Sequence, residues 1–207
     1  MQIKNNIKVL FILFLSLFVF NINLHAEEFN ITAKEILLDN ENEIVTGKGM
    51  VKAIDSEGNI ITADTIIYKK SKEFLLAEGN VKITDKEGNI LLSKNASYDK
   101  INGLIITYGN TELILKNGYK LLSKSIYYNT NKKILSSNEN STFKDIDGNV
   151  VETTMFQYDM EKNLFSSIGK IKVMDIKKNN YFFKEIHVDT KKKRNDWFRY
   201  HYDFGSG

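Results

Sequence analysis

Tyr68, Tyr98, Tyr128 and Tyr158 stand thirty residues apart, with Leu38 and Val188 in the same place at the two ends. Gly49, Gly79, Gly109 and Gly169 form a second ladder of that period, broken only at Glu139. Gly58, Gly88, Gly118 and Gly148 form a third. A fixed period in the range of roughly 20–50 residues marks a chain built from one small unit used repeatedly. The unit is shown well by residues 63–93.

Within the unit, apolar and polar residues alternate with period two. Ala77, Gly79, Val81 and Ile83 fall on one face, and Glu78, Asn80, Lys82 and Thr84 on the other. That alternation predicts half-buried β-strands. Gly49, Val51 and Ala53 keep the same phase, as do Gly109, Thr111, Leu113 and Leu115. The other half of each unit carries apolar pairs: Ile36/Leu38, Ile66/Tyr68, Ala96/Tyr98, Ile126/Tyr128, Phe156/Tyr158 and Ile186/Val188. D-S-E-G-N at 55–59, D-K-E-G-N at 85–89, K-N-G at 116–118 and D-G-N at 147–149 supply tight turns. Lys- and Asn-rich stretches at 69–72, 99–103, 129–133 and 159–163 supply a second set.

Each unit therefore reads as two strands of about ten residues, and the body as ten to twelve strands joined by short turns. The expectation is an all-β antiparallel meander or open roll. A glycine inside a strand marks a bend or bulge. One at the same height in most units folds the sheet over on itself. Two sheets then face each other across an apolar slot, with a free edge at each end. The residues expected to line the slot are Ile36, Leu38, Val51, Ile66, Tyr68, Val81, Ile83, Tyr98, Leu113, Ile126, Tyr128, Phe156, Tyr158, Ile171 and Val173. The tyrosine ladder has a plain structural reading, a packed column of strand-favouring residues. Its functional reading is a slot wall for an amphipathic guest.

The ends differ from the body. Residues 1–26 begin with Lys4 and Lys8, continue with a short apolar run at 9–20 and finish on Ala26. They are expected to be a signal peptide that exports the rest to a bacterial periplasm. Residues 27–193 form the repeat domain. After Lys193 the pattern stops. Residues 194–207 hold both arginines of the chain, Arg194 and Arg199, and its one tryptophan, Trp197. This stretch reads as an aberrant or truncated end, with a basic-aromatic membrane-surface tail as the alternative.

Composition narrows the chemistry. The net charge of +3 comes from the two ends, and the body between them is slightly acidic. That offers no footprint for nucleic acid. Absence of Cys removes disulfides and thiolate metal sites. His25, His187 and His201 are scattered, and no metal or other cofactor is expected. The stretch from Asp145 to Asn149 resembles the start of a calcium loop, but its sister turns mark it as a hairpin turn. No nucleophile elbow, phosphate loop or carboxylate pair in an apolar setting is present, so no enzymatic activity is expected.

A-D-T-I-I-Y at 63–68, followed by A-E-G-N-V at 77–81 and D-K-E-G-N at 85–89, resembles the OstA-like domain of the lipopolysaccharide transport family. That domain occurs in the bridge component LptA, in LptC and at the N-terminus of LptD. The resemblance spans about residues 28–190 and weakens after Asn95. It implies an open β-jelly roll with a V-shaped cross-section and lipid A acyl chains held between the sheets. It also implies other OstA-like domains joined head-to-tail through open edges, in a periplasmic protein associated with the outer membrane. An LptD-type N-terminal domain is favoured narrowly over an LptA-like protein. A structural or adhesive β-repeat protein is the alternative.

Overall fold

A computed structural model describes residues 29–191. The expected signal peptide and tail lie outside these residues. The chain forms β1 (Asn30–Thr32), β2 (Glu35–Asp39), β3 (Ile44–Ile54), β4 (Ile60–Lys69), β5 (Phe74–Thr84) and β6 (Ile90–Asp99). There follow β7 (Leu104–Tyr108), β8 (Thr111–Ile114), β9 (Lys120–Ser123), β10 (Tyr127–Asn129), β11 (Ile134–Ser137) and β12 (Ser141–Lys144). The series ends with β13 (Val150–Thr153), β14 (Phe156–Asp159), β15 (Leu164–Met174) and β16 (Asn180–Asp189). All pairings are antiparallel. No described helix is long and apolar enough to cross a membrane.

Sixteen strands exceed the ten to twelve expected because several expected strands are each split in two. β7 and β8 occupy one expected strand, as do β9 and β10, β11 and β12, and β13 and β14. The splits fall at one height. The uninterrupted strands shift register at that same height, between Lys48 and Val51, between Glu78 and Val81, and between Ile168 and Ile171. The mid-strand glycines produce this line. Gly49, Gly79 and Gly109 have φ of 75°, 75° and 81°, a region costly for any residue with a Cβ. Glu139, which breaks the glycine ladder, bends differently: its N–H donates to Ser137 Oγ at 3.1 Å and its carbonyl accepts from Ser141 Oγ at 2.7 Å.

The fold line divides every long strand between two layers. In one layer the first half of β6 pairs β8, and the order continues β8-β9-β12-β13 to the second half of β15. In the other, the second half of β6 pairs β7, and the order runs β7-β10-β11-β14 to the first half of β15. This is the bent double sheet. Among the described residues β1 and β2 pair only β3, and β16 pairs only β15, so both edges are free of a further described strand.

The turns match their sequence. In D-x-x-G-N, Asp85 Oδ1 accepts from the N–H of Glu87 and of Asn89 at 2.9 and 2.8 Å, and Oδ2 accepts from Asn89 Nδ2 at 2.6 Å. Asp145 spends its carboxylate in the same way on Gly148 and Asn149, which makes it a hairpin turn residue. Neighbouring turns are tied together: Asn89 Oδ1 accepts from Lys116 N–H at 2.9 Å.

Candidate functional site

The layers face each other through inward rows set by the register. One row runs Leu38, Val45, Tyr68, Leu75, Tyr98, Ile105, Tyr128, Leu135, Tyr158, Phe165 and Val188. The tyrosines are thus second neighbours, about 10 Å apart at ordinary strand spacing, with Leu75, Ile105 and Leu135 between them and Phe165 beyond Tyr158. Leu75, Ile105, Leu135 and Phe165 are themselves thirty apart and lie outside the expected lining set. The same period could have found them. Opposite lies a row containing Ala53, Ile61, Ile83, Leu91, Leu113, Leu121, Phe143, Val151 and Val173. Contact between the layers is direct: the rings of Phe143 and Phe165 lie 5.1 Å apart.

Thirteen of the fifteen expected lining residues divide into three groups. Val51, Ile66, Tyr68 and Val81 are buried in an N-terminal cluster with four alanines, Ala53, Ala63, Ala77 and Ala96. Leu113, Ile126, Phe156, Tyr158, Ile171 and Val173 are buried in a C-terminal cluster. Ile83, Tyr98 and Tyr128 are half-buried against these clusters. Ile36 and Leu38 depart from the expectation of a covered wall. Leu38 heads the row and Ile36, opposite Gly47, heads the inner row beside it, but they are 65% and 45% exposed. The reason is position: β2 is an edge strand, and neither cluster extends over it.

The two clusters differ in what fills them. The C-terminal one contains Tyr119, Phe143, Phe156 and Phe165 in continuous ring contact at 5.1–5.8 Å. In the N-terminal one, Phe29 lies edge-on to Tyr68 at 5.1 Å and to Tyr98 at 6.1 Å. Burial raises the phenol pKa values of Tyr98 and Tyr128, and the carboxylates of Asp55 and Asp85, respectively, push the same way. These hydroxyls stand near the turns of the opposite layer, where a carboxylate is within electrostatic range.

Along the fold line the central units carry a seam of buried hydroxyls that the sequence reading did not anticipate. Thr111 Oγ1 donates to Thr107 Oγ1 at 2.7 Å, and Thr107 Oγ1 accepts from Ile126 N–H at 2.9 Å. Ser137 Oγ donates to the Ser125 carbonyl and Ser167 Oγ to the Met155 carbonyl, both at 2.7 Å. The strand breaks free these backbone groups, and the hydroxyls satisfy them. Among the described residues no buried side-chain polar atom lacks a partner. The arrangement offers two apolar walls with a fixed fold line and two free edges. It is suited to enclosing apolar chains.

No family model and no curated protein sequence matches the chain. A solved structure does: LptH of Pseudomonas aeruginosa, described as the LptA-homologous periplasmic component of the conserved lipopolysaccharide transport device. It aligns at a TM-score of 0.50 and 15% identity, over 54% of this chain and 82% of its own. The fold is LptA-like. At that identity the likeness concerns the fold. The TCP10 domain of CPAP from Danio rerio, in complex with a STIL peptide, aligns at a TM-score of 0.14 and 11% identity, over 76% of this chain and 99% of its own. So low a score carries no argument.

Proposed function

We propose that this protein binds lipopolysaccharide in the periplasm and passes it toward the outer membrane, with lipid A acyl chains between the two layers. The observation that carries this reading is the pair of facing apolar rows, joined along one fold line, in a fold shared with a periplasmic transport component. Acyl chains suit such walls because each buried methylene contributes about 0.8 kcal/mol. Carriage requires no bond making, so the protein acts without catalysis. The free edges at β2 and β16 offer main-chain hydrogen bonds to like domains joined head-to-tail. The role is that of an LptD N-terminal domain or an LptA-like bridge component, associated with the outer membrane through a barrel or a partner.

A photo-crosslinking amino acid at Tyr98, which is half-buried at the inner row, tests the reading in cells. Lys82, exposed on the outer face, serves as control. A lipopolysaccharide adduct is expected at position 98 and not at 82. Equal labelling at both, or none at 98, sinks the proposal.

A further inference from the structure

We infer that Phe29 is a displaceable plug of the N-terminal half of the slot, standing where an acyl chain lies when guest is bound. The inference rests on the lipid-binding reading above and adds where a guest enters and what it must displace.

Three observations converge. First, Phe29 is 7% exposed, and its ring fills the space against Tyr68 and Tyr98 on the opposite layer. It is the one phenylalanine of the N-terminal cluster; on its own layer the next inner row holds Ile31, the small Ala53 and Ile61, and the row after that Val51 and the small Ala63. In the C-terminal cluster Phe143 plays the matching part, reaching across to Phe165 at 5.1 Å. Second, the two rings are held very differently. Phe143 lies on β12, which is paired on both sides, by β9 and by β13. Phe29 immediately precedes β1, which has three residues and, among the described residues, pairs β3 alone. A short, singly paired edge opens at far lower cost than a central strand. Third, the wall beside the plug is unfinished. Ile36 and Leu38 on β2 continue the inner rows outward yet are 45% and 65% exposed. A guest chain that replaces the ring extends along these two side chains and removes them from water. Nearer the fold line there is no comparable room: a Cβ on Gly47 would meet Val51 Cγ1 at 2.8 Å and Ala33 Cβ at 3.3 Å.

The chain contains no cysteine, so an introduced pair reports cleanly. Asn30 and Ile54 are direct cross-strand partners, at a separation a disulfide can bridge. The Asn30→Cys/Ile54→Cys variant, oxidised, holds β1 on β3 and the ring in place. Phe29→Ala removes the ring. Binding is read by titrating each purified protein with cis-parinaric acid, a long-chain fatty acid whose fluorescence rises on leaving water. Phe29→Ala is expected to bind roughly tenfold tighter than wild type, the scale set by one aromatic burial no longer opposed. The oxidised pair is expected to bind several-fold more weakly than the same protein reduced. Circular dichroism confirms that each variant retains its strands, and Phe29→Leu serves in place of Phe29→Ala if the latter unfolds. Binding that ignores both the ring and the disulfide overturns the plug and leaves lipid binding intact. Failure of every form, wild type included, to bind overturns both.

Discussion

At the scale of single residues, the thirty-residue ladders are conformational requirements. Gly79 has φ of 75°, and a Cβ there would collide with Asp64 Oδ2 and come within 3.0 Å of Asp64 Cβ. Asp64 cannot easily retreat, because its Oδ2 accepts from Asn80 Nδ2 at 2.8 Å. Gly79→Ala is therefore expected to lower stability by about 1–3 kcal/mol in urea unfolding. Gly58→Ala meets no neighbouring atom and carries only the cost of its φ of 87°, about 1 kcal/mol. Equal losses for the two would show that the close approach at the fold line adds nothing. The turn aspartates give a pH signature. Hydrogen bonds from the Asn102 side chain and N–H hold the Asp99 carboxyl below its ordinary 3.8, and Asn179 does the same for Asp175. A carboxylate depressed in the folded state contributes stability that is present above its ordinary value. That contribution is lost as pH falls through the folded value. Thermal stability is thus expected to hold down to about pH 4 and decline below it, less so in Asp99→Asn/Asp175→Asn. An acid profile identical in that variant would remove these turns from the account.

At the scale of elements, the bend was legible and the break was not. The glycine ladder announces a kink at one height, and Gly49, Gly79, Gly109 and Gly169 all have positive φ. Whether a strand survives the kink depends on what happens to its freed carbonyls and N–H groups, and that is decided by side chains on other strands. Those side chains are also periodic. Gly47, Ala77, Thr107, Ser137 and Ser167 stand thirty apart, as do Ala63, Ser93, Ser123 and Thr153, and Val51, Val81, Thr111 and Ser141. In each series the N-terminal members lack a hydroxyl and the central members carry one. Behind the divided edge of β1 and β2, the strands β3 to β6 are uninterrupted, and β7 to β14 at the centre are broken. A periodicity search attuned to apolar residues misses this, because Ser and Thr read as outward-facing. Ser123 is the node: its Oγ lies 2.9 Å from the Ser125 carbonyl, from Ser137 Oγ and from Ser141 Oγ. Ser123→Ala leaves these buried groups short of partners and is expected to lower stability by about 1–3 kcal/mol. Ser136, on the outer face of the same strand as Ser137, is the control, with Ser136→Ala expected within about 0.5 kcal/mol of wild type. A Ser123→Ala loss no larger than that would mean the seam is incidental to the break.

At the scale of the whole molecule, the edges govern behaviour, and they are unlike one another. The N-terminal edge is divided between β1 and β2, one in each layer, whereas the C-terminal edge is the single ten-residue β16. Two like edges would pair about a two-fold axis and stop at a dimer. Unlike edges that fit each other give a heterologous contact, which propagates in one direction without closing. Both edges carry exposed apolar side chains, Leu37 and Leu38 on β2 and Tyr181 and Phe182 on β16, so joining removes apolar surface as well as completing strand pairing. If the proposed head-to-tail joining holds, sedimentation velocity shows species that lengthen steadily with concentration and reach no dimer plateau. A synthetic peptide of residues 29–39, carrying both N-terminal edge strands, competes for the β16 edge and shortens these species. A scrambled peptide does not. A closed dimer, or growth indifferent to the peptide, rules out pairing through these edges. The inner rows would still form a slot within one molecule, and the proposed passage of acyl chains from carrier to carrier would then need a different partner at its open ends.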